Sequence, residues 1–366
     1  DPILGIVNQT WATGNGLQSN QITGLTARYG VAYAGTFNMG VQRIDLVNGT
    51  TLTAWSSTGA DDVQSAPIAI DGTTMYLGLY GFGVFIYDLN TGEITDKWVR
   101  TGGGGGNQNR QIPSNEVRSL MVESSGHILV GTSDGAARHS ANGWSPFGNS
   151  GNQNANEFND FELDSQYIYT ATNTGVCQYS RSNLAYQGCW DDDPDGLPGE
   201  YTFSIKMIQP DRLYVGTYEG AGVIDIANDT VIHSWEAGVQ TENAKTVVIG
   251  DIAYLGYNGL GVLRIVILND EWLAPWDSTT NLLDSNGVTA LVQDINPSRI
   301  WVGGDMGLNL IDVVNATLVV DWDDGGNSGG INLPQSSPAE LVIIGDTMHY
   351  SMARNGQWDS NDYIYR

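Results

Sequence analysis

Basic residues are scarce in this sequence. Only 15 lysines and arginines stand against 41 aspartates and glutamates, which gives a formal net charge of −26. Such a charge repels the phosphates of nucleic acids and the anionic surface of a membrane, so neither is an expected partner. Lysine occurs only at Lys97, Lys206 and Lys245. An acidic surface is typical of proteins in salt water, where ions screen the self-repulsion, and we therefore expect a marine or salt-adapted protein.

Long apolar runs and helix-favouring residues are scarce as well. No apolar stretch approaches the length of a membrane-spanning helix, so no membrane insertion is expected. Charged residues make up only 15% of the chain, whereas it has 47 glycines, 11 tryptophans and 17 tyrosines. That balance favours short aromatic strands joined by turns. We predict an all-β protein in which residues 1–366 form one domain.

A repeat of 41 to 46 residues organises the chain. Each unit has four short apolar or alternating runs separated by glycine, asparagine and aspartate turns, which is the pattern of a four-stranded β-propeller blade. Residues 76–98 give the clearest example, and each unit closes on a tryptophan. The closing positions are Trp11, Trp55, Trp98, Trp144, Trp190, Trp235, Trp276 and Trp322. Eight closing tryptophans predict an eight-bladed β-propeller.

The two ends of the sequence complement one another. Residues from about 339 to 366 supply three strands without a closing tryptophan, and residues 5–11 read as a fourth strand with nothing before it. We therefore expect the N-terminal strand to join the C-terminal blade and close the ring, which leaves few unprotected sheet edges. A seven-bladed ring with loose ends is the alternative.

Two families share residues with these repeats. Residues 113–132, continuing to Gly135 and Trp144, resemble the repeat of two-component-regulator propellers. Residues 87–98, with Asp88, the pair Thr91-Gly92 and Trp98, are similar to the tryptophan-docking motif of quinoprotein-like, eight-bladed propellers. Both resemblances imply an architecture and leave the activity open.

The two cysteines of the chain are placed to form a disulfide. The turn between their predicted strands centres near Asn183, and Cys177 and Cys189 lie at equal distances from it. Facing residues of an antiparallel pair lie about 4.5–5.5 Å apart at Cα, which is within disulfide range. We predict a cross-strand disulfide, which is typical of an oxidising compartment. Two buried free thiols are the alternative.

An acidic loop at residues 191–200 carries the spacing of a calcium loop. Asp191, Asp193 and Asp195 alternate and precede Gly196. Several carboxylate oxygens with a glycine for the sharp turn can wrap Ca²⁺, so these three aspartates are the predicted ligands and Ca²⁺ is the one cofactor indicated. The EF-hand glutamate is absent because its place holds Thr202, and a solvated acidic turn is the alternative.

Long polar loops follow three successive closing tryptophans, at residues 101–114, 145–157 and 191–201. Because each joins the last strand of one blade to the first strand of the next, we expect all three on one face. Arg118, Asn159 and Lys245 hold matching places at the start of the first strands. They are the candidate ligand-binding residues, and structural packing is the alternative.

The predicted function is recognition without catalysis. Because the chain starts at Asp1 without an initiator methionine and ends inside a strand-like run, we expect a domain cut from a larger exported protein. We expect this domain to be monomeric and to lie outside the cell or on the cell surface. Its partner would be a glycan, a peptide or a neighbouring protein domain. The alternative is a propeller enzyme, either a polysaccharide lyase or a quinoprotein-like oxidoreductase. No catalytic residue can be assigned, since the four histidines fall at different points of the repeat.

Overall fold

A computed structural model of the chain describes residues 10–11, 17, 22–36, 40–55, 67–79, 81–100, 112–123, 126–148, 156–193, 195–209, 211–236, 243–269, 271–304, 306–323, 337–344, 347–353 and 363–365. All regular secondary structure in these ranges is β-strand, as predicted. None of the described segments forms a helix with the length and hydrophobicity needed to cross a bilayer. The chain divides into two compact units, residues 62–240 and residues 1–61 with 241–366.

The strands have these bounds in chain order. The first sixteen are β1 (Thr10–Trp11), β2 (Ile22–Arg28), β3 (Val31–Thr36), β4 (Val41–Asp45), β5 (Thr50–Trp55), β6 (Ile68–Asp71), β7 (Thr74–Leu79), β8 (Gly83–Asp88), β9 (Ile94–Trp98), β10 (Val117–Val122), β11 (Ile128–Thr132), β12 (Gly135–Ser140), β13 (Gly143–Phe147), β14 (Phe158–Leu163), β15 (Tyr167–Thr172) and β16 (Gly175–Ser180). The others are β17 (Tyr186–Trp190), β18 (Thr202–Gln209), β19 (Arg212–Thr217), β20 (Gly220–Asp225), β21 (Thr230–Glu236), β22 (Asn243–Ile249), β23 (Ile252–Tyr257), β24 (Gly261–Val266), β25 (Glu271–Trp276), β26 (Val288–Gln293), β27 (Arg299–Gly304), β28 (Gly307–Asp312), β29 (Thr317–Asp323), β30 (Ser337–Ile344), β31 (Thr347–Ala353) and β32 (Tyr363–Tyr365).

Seven blades are built from four consecutive antiparallel strands. The unit of residues 62–240 contains β6–β9, β10–β13, β14–β17 and β18–β21, and the other unit contains β2–β5, β22–β25 and β26–β29. Within each unit the first strands of consecutive blades contact one another, as in β10 with β14 and β14 with β18. The first strands therefore form one edge along which side chains of several blades meet.

The terminal sheet differs from these seven blades. It has the order β1-β32-β31-β30 and pairs Thr10 with Tyr365 and Trp11 with Ile364, so the N-terminal strand does join the C-terminal sheet. Within the described residues its two outer strands comprise two and three residues. The predicted eight-bladed propeller is therefore corrected to seven blades, each of four consecutive strands, beside a composite four-stranded sheet made from both ends of the chain.

A glycine opens the third strand of most blades because the closing residue crowds it. A Cβ atom added to Gly261, whose φ is +80°, would lie 2.1 Å from the carbonyl oxygen of Trp276. The same glycine donates its N–H to the carbonyl of Asn286, which precedes the first strand of the next blade. Gly83, Gly135 and Gly175 make the equivalent bond to Asn115, Asn156 and Glu200. This repeated bond ties each of these blades to its successor.

The closing aromatic residue pairs with the second residue of the third strand. Val84 faces Trp98, Val176 faces Trp190 and Val262 faces Trp276. A second-strand tyrosine packs on several of these indoles, such as Tyr254 on Trp276 with ring centroids 5.2 Å apart.

The blade of β10–β13 departs from the predicted closing pattern. Phe147, not Trp144, occupies the closing place there, opposite Ala136. Trp144 pairs with His139 nearer the hairpin turn. The reason is the short connection between β12 and β13, in which Ser140 pairs with Gly143. The prediction of Trp144 as a closing residue is therefore wrong.

A buried glutamate joins two neighbouring blades. Glu123, with 1% of its side chain exposed, follows β10 and lies 3.0 Å from Nε of Arg138 on β12 and 3.2 Å from Nε of Arg181 in the next blade. Nδ1 of His127 is 3.4 Å away. Arg138 also donates through Nη1 to the carbonyl of Arg181 at 2.6 Å. We call Glu123, His127, Arg138 and Arg181 the Glu123 network.

Candidate functional site

The candidate site lies along the first strands of three consecutive blades. In β10 the register shifts between Val117 and Ser119, which leaves Arg118 as a bulged residue without a partner in β11. In β14 the shift leaves Asn159 bulged in the same way. A β-bulge redirects the side chain of the extra residue and is common beside functional sites. Arg118 and Asn159, two of the three predicted ligand residues, thus lie at the same kind of β-bulge in neighbouring blades.

The third blade places an aromatic side chain at the equivalent position. The register of β18 shifts between Thr202 and Ser204, so Phe203 is its bulged residue. Its ring centroid lies 4.9 Å from that of Tyr201 and 6.1 Å from that of Tyr218. Lys245 lies at the irregularity of β22 in the other unit, and its side chain is outside the described residues.

Polar side chains connect the three blades at this edge. Nη2 of Arg118 lies 3.1 Å from Oε1 of Glu157, which immediately precedes β14. The hydroxyl of Tyr201, immediately before β18, donates to Oε2 of Glu157. The Asn159 amide donates to the carbonyl of Thr202 at 2.8 Å. We call Arg118, Glu157, Asn159 and Tyr201 the polar bridge.

The electrostatics of the polar bridge hold Tyr201 in its protonated form. Burial raises the pKa of the Tyr201 hydroxyl, and its hydrogen bond to the Glu157 carboxylate raises it further, while Arg118 acts in the opposite direction. The side chains of Arg118 and Glu157 remain 29% and 27% exposed. The bridge therefore offers a neutral hydroxyl, a guanidinium, a carboxylate and an amide to a ligand, beside aromatic rings.

Sequence reasoning missed Glu157, Tyr201 and Phe203. The signal that identifies them is position: Glu157 and Tyr201 each directly precede a first strand, and Phe203 occupies the second place of its strand, as Arg118 and Asn159 do. The three predicted polar loops are described only in part, because residues 101–111, 149–155 and 194 lie outside the described ranges.

The predicted disulfide is confirmed. Cys177 of β16 and Cys189 of β17 are direct partners in the antiparallel register and are joined by a disulfide, with Cα atoms 4.0 Å apart. The bond lies inside the blade that contributes Glu157 and Asn159 to its first-strand edge. It favours an oxidising setting for this domain.

The predicted calcium ligands lie in the loop after β17. Burial raises the pKa of Asp191, and the charges of Asp195 and Asp192 raise it further. The Asp191 backbone N–H donates to Oδ2 of Asp195 at 3.4 Å, while Asp193 and Asp195 are exposed. Within the described ranges no three histidine, cysteine or acidic side chains are grouped closely enough to hold a metal ion. The calcium site stays a prediction.

Comparison with known proteins shows the fold. A solved structure of the computationally designed Ika8 protein matches with a TM-score of 0.69 and 14% identity, covering 96% of this chain and 97% of the designed one. No family model and no curated protein matches the sequence. The chain thus has a β-propeller fold, a fold shared so widely that 1468 solved chains match it, and fold alone does not define its activity. Neither the two-component-regulator nor the quinoprotein-like resemblance is confirmed.

Proposed function

We propose that this chain is a non-catalytic recognition domain of a larger exported protein, and that it binds a glycan through the polar bridge and the adjoining aromatic rings. The observation that carries the proposal is the polar bridge, which joins Arg118, Glu157 and Tyr201 from three neighbouring blades beside the ring of Phe203. Sites for small molecules combine apolar or aromatic surface with a few placed polar groups. A sugar, with hydroxyls on its rim and C–H groups on its faces, suits that combination. The disulfide supports the exported location.

The test uses two substitutions in the polar bridge, one that removes a single hydroxyl and one that removes a positive charge. Tyr201→Phe removes only the hydroxyl that donates a hydrogen bond to Glu157. Arg118→Gln removes the guanidinium that pairs with the same carboxylate. The exposed hairpin residue Glu93 provides the matched control Glu93→Gln. Binding is measured by calorimetry with xylan, laminarin, cellulose and alginate oligosaccharides. At least a fivefold loss is expected for both bridge variants and none for the control, because a ligand group that loses its hydrogen-bond partner on binding costs about 1–3 kcal/mol.

Equal binding by all variants would place the glycan elsewhere on the protein. Binding to none of the oligosaccharides would contradict the glycan proposal for these classes and would favour a peptide or protein ligand, which a panel of peptides tests in the same format.

A polysaccharide lyase is the runner-up because the polar bridge contains a tyrosine and an arginine, the residue types that could serve as base and charge neutraliser. The environment opposes that role. A tyrosine base must lose its proton, whereas burial and the bond to Glu157 raise the Tyr201 pKa. Incubation with alginate or pectate should therefore produce no unsaturated uronate ends, and their appearance would overturn the non-catalytic assignment.

Calcium binding by Asp191, Asp193 and Asp195 is a separate proposal. The dication would offset the repulsion that raises the Asp191 pKa. Calcium is titrated into chelator-treated protein, with binding heat and melting followed in parallel. Heat and a higher melting temperature are expected, and the absence of both at millimolar calcium would contradict the proposal.

A further inference from the structure

A cleft of about 330 Å³ lies at the outer part of two neighbouring blades and shares no lining residue with the polar bridge. One wall comes from the blade of β14–β17 and contains Tyr167, Gln178 and Gln187. The other comes from the turn between β20 and β21 and contains Asp229. The acidic loop after β17 adds Asp195.

A disulfide on one side and local hydrogen bonds on the other fix the walls of this cleft. Cys189 lines it and is joined to Cys177 of the neighbouring strand. On the other side, Asp225 accepts the N–H and side-chain amide of Asn228 at 3.0 and 2.8 Å. Asp229 follows with a φ of 56°, a left-handed conformation that this tight turn imposes. The cleft is thus a feature of the folded blades.

The charges of the cleft are of one sign. Its lining contains the two carboxylates of Asp195 and Asp229 and no lysine, arginine or histidine. Neither carboxylate forms an ion pair within the described part of the chain. The polar bridge differs, because Arg118 there neutralises Glu157. The net charge of −26 adds a long-range attraction for cations.

We propose that this cleft binds the cationic side chain of a basic peptide, with Asp195 and Asp229 facing the guanidinium or ammonium group and Tyr167 supplying a ring face. Charge-assisted hydrogen bonds to a carboxylate and contact with an aromatic ring are the two interactions that recognise such groups. The amides of Gln178 and Gln187 supply further hydrogen-bonding capacity for the peptide. A small dication is the less suitable occupant, because Ca²⁺ requires six to eight oxygen ligands and two carboxylates supply few of them.

The experiment compares two blocked tripeptides, acetyl-Gly-Arg-Gly-amide and the isosteric acetyl-Gly-citrulline-Gly-amide, titrated into the intact chain labelled with ¹⁵N. Amide shifts confined to residues such as Gly188, Asp195 and Asp229 are expected for the arginine peptide and none for the citrulline peptide. Asp195→Asn and Asp229→Asn should each weaken binding at least fivefold. Asparagine also adopts the left-handed conformation, so the second variant preserves the turn. Asp192→Asn removes an exposed charge of the same loop that does not line the cleft and should leave the affinity within twofold.

Several outcomes would overturn the proposal. Equal shifts with both peptides would show that the cleft does not recognise the positive charge. If Asp192→Asn weakened binding as much as Asp195→Asn does, the affinity would come from the overall negative charge of the protein and not from the cleft. A third arm adds calcium alone. Calcium shifts at Gly188 and Asp229 without an arginine response would assign the cleft to a metal, whereas calcium held by Asp191, Asp193 and Asp195 would shift the amides of that loop alone. Because this site shares no residue with the polar bridge, loss of glycan binding in the Tyr201→Phe variant leaves the result unchanged.

Discussion

Replacing Glu123 should cost more stability than replacing any exposed acidic residue. Its carboxylate is 1% exposed and lies 3.0 Å from Arg138 and 3.2 Å from Arg181. At an effective dielectric constant of about 20, unit charges about 3 Å apart attract by roughly 5 kcal/mol. Removing one partner of such a buried pair typically costs about 3–5 kcal/mol, because the other charge is left uncompensated. For Glu123→Gln we expect about 3 kcal/mol, since the amide oxygen still accepts one hydrogen bond.

The assay is chemical denaturation followed by tryptophan fluorescence and far-UV circular dichroism. Coincident transitions are required before a free energy of unfolding is extracted, because the chain has two compact units. Glu93→Gln is the surface control and should change stability by no more than about 0.5 kcal/mol. The double variant Glu123→Leu with Arg138→Met should recover part of the loss, because it removes the two most buried charges and leaves Arg181, whose side chain is 23% exposed. A loss below about 1 kcal/mol in Glu123→Gln, where about 3 is expected, would refute the role assigned to the network.

The remaining predictions concern pH, backbone and covalent constraints. Burial raises the pKa of Asp160 to about 7 although its carboxylate accepts backbone hydrogen bonds. Between about pH 4 and pH 7 the folded state therefore keeps a proton that the unfolded chain has lost. The stability from this group is complete below about pH 4 and is lost as the pH rises through about 7. The free energy of unfolding falls by up to about 4 kcal/mol over this range. Asp160→Asn should flatten this dependence in urea titrations, and an unchanged slope would refute it. Gly261→Ala should lower the free energy of unfolding more than Gly126→Ala. Both glycines have positive φ, but only a Cβ atom at Gly261 would contact a carbonyl oxygen. Equal denaturation midpoints for the two variants would contradict the crowding argument. Reducing the disulfide between Cys177 and Cys189 should lower the free energy of unfolding by about 2–3 kcal/mol on the chain-entropy model, checked against the unreduced protein in the same denaturant series.

Features fixed by short-range geometry were predictable from the sequence. The partnership of Cys177 with Cys189 follows from equal spacing about one turn, and the structure has that register. The matching places of Arg118 and Asn159 follow from the repeat. The failures have a common cause in local irregularity. Trp144 and Phe147 share one strand, and the short turn before them decides which ring closes the blade.

The polar bridge was predictable only in part. Glu157 and Tyr201 end loops of different length and composition, so nothing in either loop alone indicates that the two side chains meet. Their contact arises because bulged first strands of neighbouring blades lie side by side, a property of tertiary packing. The blade count has a similar origin. The terminal sheet combines strands from both ends of the chain, and their pairing is a long-range contact that no local sequence pattern defines.

Trp144, which does not close its blade, lies close enough to another tryptophan to give a spectroscopic signal of blade packing. Its indole lies 4.8 Å from that of Trp98 in the preceding blade, with the two ring planes at 86°. Two indoles held so close in a chiral arrangement couple their electronic transitions and produce a paired positive and negative band in circular dichroism. The amplitude of that pair depends on the docking of the two blades, not on the strand content of either. Separation of neighbouring blades can thus be followed without a label, while each sheet remains folded.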